Sequence, residues 1–256
     1  MSERFEQFQV DGTPRIGLRL PAGKARFVAG TSGTVEIRMS GRDSTVDRFL
    51  IEERGGEIVI EPEGGGFGRW SGVDVEIRTG EPAEIRARLA AGDVTVSTKA
   101  RSLTIEAGSG DVTAGEVEGD VKVKTASGDI RVEVVGGRVE VAAASGDLHI
   151  GSVAGEISAK TAAGDMVFGE AAGSVTAHSA SGDIEVHRFS GDSFNAKTLS
   201  GDVRLGVTSG RKFTVSFQTL SGDVRTDFPV APGGKGSSAR LAVKTMSGDV
   251  TVHRAD

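Results

Sequence analysis

Residues 121–137 read VKVKTASGDIRVEVVGG, and most of the chain repeats this phrase. Its Gly-Asp pair returns at 18-residue steps from Asp93, as Gly110-Asp111, Gly128-Asp129, Gly146-Asp147, Gly164-Asp165 and Gly182-Asp183. The step then lengthens to 19, 21 and 26 at Gly201-Asp202, Gly222-Asp223 and Gly248-Asp249. A fixed period of this length marks a repeat architecture in which each unit covers its neighbour.

Weaker turns lie midway, at Gly119-Asp120, Gly137-Arg138, Gly155-Glu156 and Gly173-Ser174. After every turn apolar residues alternate, as in Val121/Val123, Ile130/Val132, Leu148/Ile150 and Ile184/Val186. Alternation of period two between glycine turns is a strand signal. Two strands per period predict an all-β fold, a parallel two-sided β-solenoid (β-helix) of about 18 residues per coil. The strong hand preference of parallel crossovers makes it right-handed. Equivalent residues of successive coils would stack about 4.8 Å apart. One coil buries too few apolar side chains to offset the entropy of ordering it, so only a stack should fold.

Composition agrees. The 256 residues include 38 glycines, sparse aromatics and no tyrosine, which suits tight turns around a thin aliphatic core. There is no cysteine, which excludes disulfides and thiolate metal sites. The opening MSERFEQFQV has neither a basic start nor an apolar core. With no apolar run of transmembrane length, the expectation is a cytoplasmic chain without a signal peptide or an integral membrane segment, the alternative being membrane association through partners. A net charge of −6 with both signs dispersed gives no nucleic-acid footprint.

Along the chain, residues 1–20, with Phe5, Phe8, Ile16, Leu18 and Leu20, are expected to cap the N-terminal end. Residues 21–92 read as irregular coils, and residues 93–256 as regular solenoid. Turn insertions interrupt it near 207–212 and 228–240. The glycine-rich stretch 63–72 contains the single tryptophan, Trp70. It lacks the Lys-Ser/Thr of a phosphate loop and reads as a long turn. Arg211, Lys212, Lys235 and Arg240 make the C-terminal end locally basic, and a solvated surface is the expectation.

The aspartate column is the first candidate site. In Ser-Gly-Asp the glycine can take positive φ and the carboxylate can accept backbone N–H groups, so the Gly-Asp pairs named above are read as structural turns. The alternative is a cation ladder at Asp111, Asp129, Asp147, Asp165 and Asp183. Calcium-binding rolls, however, place their aspartate two residues after glycine at nine-residue spacing. Thr125, Thr161, Ser179, Thr198, Thr219 and Thr245 share the inward parity of the core and predict buried hydroxyls. Their outward neighbours are Lys124, Lys160, His178, Lys197, Gln218 and Lys244. The histidines His149, His178, His187 and His253 read as surface residues. Glu133, Glu140 and Glu185 are too scattered to pair for glycoside cleavage.

The repeated S-G-D-I/V/L-x-V motif, with VDVEIRTG at 73–80, resembles the bacterial β-strand-repeat proteins named putative adhesins, a domain-of-unknown-function family. The resemblance spans roughly residues 20–256 and implies a parallel β-solenoid, in some members in cell-envelope stress and membrane-associated settings. It transfers no catalytic residue. The leading reading is therefore a non-enzymatic scaffold or interaction protein, without catalytic residues or cofactors. Its expected partners are proteins, or further copies meeting at the solenoid ends. The alternatives are a cell-surface adhesin and a carbohydrate-active β-helix enzyme.

Overall fold

Alternating side chains force each strand to bury one face, and the stacked glycine turns let the next strand lie parallel on the last. The computed structural model describes residues 2–64, 72–209, 213–227 and 239–255. Trp70 and its loop, Arg211, Lys212, Lys235 and most of the 228–240 insertion lie outside the described residues. The chain divides into two compact units, Met1–Val132 and Glu133–Asp256. Strands are the main element of both. No helix among the described residues is long and apolar enough to cross a membrane.

In the first unit the strands are β1 (Ser2–Gln9), β2 (Arg15–Ala22), β3 (Ala25–Ala29) and β4 (Thr34–Gly41). After a one-turn helix α1 (Asp43–Val46) come β5 (Phe49–Arg54), β6 (Glu57–Pro62), β7 (Asp74–Thr79), β8 (Ala83–Ala91) and β9 (Val94–Val96). The unit continues with β10 (Ala100–Ser109), β11 (Val112–Val117) and β12 (Val121–Ser127); β13 is Ile130–Val135. The register pairs like with like: Leu103 lies beside Val121 and Ile105 beside Val123, in parallel. Leu103 also faces Ile85, which faces Ile16, which faces Ile58.

Chain order fails at this end. The winding β2–β3 lies between β6–β7 and β8–β9. Residues 1–20 are thus not a single cap. Ile16, Leu18 and Leu20 are core residues, and β1 is paired on one side, antiparallel to β4, among the described residues. Among the described residues antiparallel pairing is found in this region, in β1–β4, β4–β7 and β5–β6. Apolar parity alone does not reveal the interleaving, because a strand sandwiched by two later windings has the same pattern as one laid down in sequence.

The second unit holds β14 (Val139–Ser145), β15 (Leu148–Val153), β16 (Ile157–Ala163), β17 (Met166–Ala171), β18 (Val175–Ser181) and β19 (Ile184–Phe189). Then follow β20 (Ser193–Lys197), β21 (Val203–Thr208), β22 (Phe213–Gln218), β23 (Val224–Thr226), β24 (Ala239–Lys244) and β25 (Val250–Ala255). One parallel set runs β14–β16–β18–β20–β24–β22, the other β15–β17–β19–β21–β25–β23. The last winding, β24–β25, therefore sits between β20–β21 and β22–β23. This corrects the expectation that every winding lies on the one before it in sequence. Leu241, Val243, Val250 and Val252 are almost wholly buried, whereas Val224 is 44% exposed. Placing β24–β25 inside covers its aliphatic residues on both sides and leaves the poorer winding outside.

Candidate functional site

At each strong turn the glycine has φ between 114° and 148°, from Gly110 through Gly248. A Cβ on Gly164 would lie 2.2 Å from the Gly146 carbonyl oxygen, so the turns stack too closely for any side chain. The aspartate that follows spends one oxygen on the next winding. In the first unit Asp111 N–H donates to Asp93 Oδ1 (3.2 Å) and Asp129 N–H to Asp111 Oδ1 (2.9 Å). In the second unit Asp165 N–H reaches Asp147 Oδ1 at 2.9 Å, and Asp183 and Asp202 each continue the chain at 2.8 Å. Asp249 N–H then donates to Asp202 Oδ1, and Asp223 N–H to Asp249 Oδ1, both at 2.8 Å.

The other oxygens at that end are neutralised by arginine. Arg204 bridges Asp183 Oδ2 (3.2 Å) and Asp202 Oδ2 (3.0 Å). Arg225 bridges Asp223 Oδ2 (3.1 Å) and Asp249 Oδ2 (3.8 Å). The column is a hydrogen-bonded ladder with guanidinium compensation. Among the described residues no three His, Asp or Glu side chains gather as metal ligands would. The inward hydroxyls close the turns: Thr198 Oγ1 donates to Gly182 O and Thr245 Oγ1 to Gly201 O, each at 3.4 Å.

A different surface is left uncompensated. Lys160, His178, Lys197 and Lys244 occupy successive strands of the second unit in register, and Gln218 ends the row. The three lysines are exposed. They have no ion-pair partner among the described residues. The five strands that carry the row, β16, β18, β20, β24 and β22, contain no Asp or Glu. Neighbouring ammonium groups at this strand spacing repel by up to about 1 kcal/mol even in water. His178 responds to the same field. Burial first, then Lys197 and Lys160, hold its pKa below the usual imidazole value. Its Nε2 is buried without a hydrogen-bond partner.

Two residues along the chain from the lysines is an apolar ridge. Leu199, Met246 and Leu220 are 55%, 48% and 83% exposed. Ser247 N–H donates to Leu199 O and Ser221 N–H to Met246 O, both at 3.0 Å, so the three lie on successive windings. The sequence reading named the lysines only as outward neighbours of the threonines and missed the ridge. Its signal was there: from Asp129 on, the residue three before each turn aspartate is Ala126, Ala144, Ala162 and Ala180, then turns to Leu199, Leu220 and Met246.

The first unit shows what compensation looks like. A concave surface of about 710 Å³ is lined by Arg4, Phe5, Lys24, Arg26, Arg38 and Arg78 with Glu3, Asp74 and Glu76. Most of these cations are engaged: Arg78 with Glu76 at 2.7 Å, Arg4 with Glu6 at 3.1 Å, Lys24 with Asp93 at 3.8 Å. Arg38 lies 5.7 Å from the centre of the Phe5 ring. Elsewhere in the unit Arg88 pairs with Glu106 at 3.0 Å and Arg101 with Glu118 at 3.0 Å.

A family model described as Toastrack DUF4097 matches residues 22–253. Among solved structures, a putative adhesin from Bacteroides fragilis NCTC 9343 is 12% identical, with 98% of this chain and 97% of that one covered and a TM-score of 0.43. A putative adhesin from Parabacteroides merdae ATCC 43184 is 10% identical, covering 99% and 96%, with a TM-score of 0.41. A putative lipid binding protein from Parabacteroides distasonis ATCC 8503 is 10% identical, covering 99% and 97%, with a TM-score of 0.36. No curated protein matches the chain.

Proposed function

The chain belongs to the Toastrack DUF4097 family, and on that premise we propose that it is a non-enzymatic interaction protein. Its scaffold is a two-sided, right-handed β-solenoid of about 18 residues per coil, and a partner is engaged through one face of the second unit. The observation that carries this reading is the unpaired Lys160–Lys197–Lys244 row beside the exposed Leu199–Met246–Leu220 ridge. Stability does not account for either half. Stacked like charges oppose folding, and exposed aliphatic side chains contribute little to it. Contiguous exposed apolar residues rimmed by one sign of charge suit recognition.

Photo-crosslinking residues placed at Lys197 on this face and at Glu185 on the opposite strand set test it in native cells. Adducts should form from the first position and not from the second. Equal yields, or none, would contradict it.

Self-association has an observation of its own. Among the described residues β22 and β23 are paired on one side only, by β24 and β25. Val224 is 44% exposed there. Open strand edges template further pairing. On this reading the mass measured by light scattering rises with concentration, and a constant monomer mass rules it out.

A further inference from the structure

Building on that interaction face, we propose that its partner is an anionic phospholipid surface, on which the lysine row and the apolar ridge dock the protein peripherally. The two halves of the patch are what an interface of lipid headgroups and acyl chains selects for. Leu199, Met246 and Leu220 can enter the acyl boundary. Lys197 and Lys244, two residues away on the same outward parity, keep their ammonium groups at the level of the phosphates on flexible stems.

The distribution of cations supports a diffuse anionic array over a fitted site. In the second unit Arg138, Arg188, Arg204 and Arg225 are ion-paired to carboxylates, whereas Arg240, on the outward parity of Lys244, and Arg254 have no ion pair among the described residues. The described lysines, Lys160, Lys197 and Lys244, have none either. A guanidinium forks onto one carboxylate, whereas an ammonium is a mobile point charge that suits many equivalent phosphates. Arg204 and Arg225 also neutralise Asp183, Asp202, Asp223 and Asp249 round the turn, the acids of the windings that carry the ridge.

Other occupants fit less well. The ridge is aliphatic and thioether, with no aromatic platform on which nucleic-acid bases could stack. A second copy meeting this face isologously would set lysine row against lysine row. An acidic protein would satisfy the lysines, and the experiment separates it from lipid.

The test is flotation of the full chain with vesicles of phosphatidylcholine alone, and of phosphatidylcholine doped with phosphatidylglycerol. The protein should float with the anionic vesicles, weakly or not at all with the neutral ones, and less as salt is raised. K160Q/K197Q/K244Q should weaken binding about a hundredfold, at roughly fivefold per lysine. L199A/L220A/M246A, which restores the alanine of the earlier windings, should weaken it about tenfold or more. Neither variant should melt below the wild type, and relief of the lysine repulsion should leave the glutamine variant equal to it or higher. Equal partition to the two vesicle types would overturn the proposal. Heparin binding as tight as vesicle binding and indifferent to the ridge variant would do the same. If vesicles fail while Lys197 still cross-links to a protein in cells, the lipid assignment falls and the interaction face stands. If both fail, the face falls too.

Discussion

Asp249 donates its backbone N–H to Oδ1 of Asp202 across 2.8 Å, although 47 residues separate them. Asp223, which lies between them in sequence, is bonded to the far side of Asp249. This order makes each aspartate a link between windings. Asp165, in the regular part, accepts the Asp183 N–H at 2.8 Å. Asp165→Ala should therefore destabilise the protein by about 1 kcal/mol, read from denaturant unfolding. Asp165→Asn keeps an acceptor and should cost less. Equal losses for the two would argue against the hydrogen bond as the cause.

Turn glycines separate two kinds of constraint. Gly164 has φ of 125° and its missing Cβ would sit 2.2 Å from Gly146 O, a backbone atom with nowhere to go. Gly33 has φ of 75° with nothing within 4 Å. Gly33→Ala should cost about 1 kcal/mol, the conformational penalty alone. Gly164→Ala should cost well over about 3 kcal/mol or abolish folding, because strain and clash add. Comparable midpoints for the two variants would refute close stacking of the turns.

The apolar ridge should be dispensable for folding. Leu205 is fully buried and Leu220 is 83% exposed. Leu205→Ala should lose about 2–5 kcal/mol through transfer and cavity terms. Leu220→Ser should stay within about 0.5 kcal/mol of wild type. A large loss at Leu220 would mean that the ridge is covered within the protein itself.

His178 sets an acid-side dependence. Burial, with Lys197 and Lys160, depresses its folded pKa, while in the unfolded chain imidazole titrates near about 6.5. Above that pH both states are neutral and the full stability is present. As pH falls from about 6.5 through the folded pKa, the unfolded chain takes up the proton first and stability is lost. The difference in unfolding free energy between wild type and His178→Gln should therefore shift against the wild type between pH 7.5 and a pH below about 6. Parallel curves would show that His178 is not held neutral.

The all-β fold, the strand phases and the glycine turns were legible because a stacked winding writes the same parity and the same turn at each pass, as in Ile130, Leu148 and Ile184. The interleaving of β2–β3 and β24–β25 was not. A winding inserted between two others has the parity of any other, and the lengthened steps before Asp223 and Asp249 read equally well as loops. The lysine row was visible as residue types at one phase. Its significance depends on the absence of facing carboxylates, which is a property of neighbouring strands and not of spacing. The ridge was masked because three apolar residues distributed over some 50 positions become contiguous only when Met246 lies between Leu199 and Leu220.

That placement is also the most direct test of the account, since the chain has no cysteine of its own. Ser200 and Ser221 each bridge to Ser247 in parallel, from opposite sides. Neighbouring parallel strands lie about 4.8 Å apart, within reach of a disulfide, and strands two steps apart do not. Under mild oxidation S200C/S247C and S221C/S247C should form intramolecular disulfides, and S200C/S221C should not. Rapid cross-linking of S200C/S221C, with S200C/S247C remaining reduced, would show that the windings follow sequence order and would contradict the account.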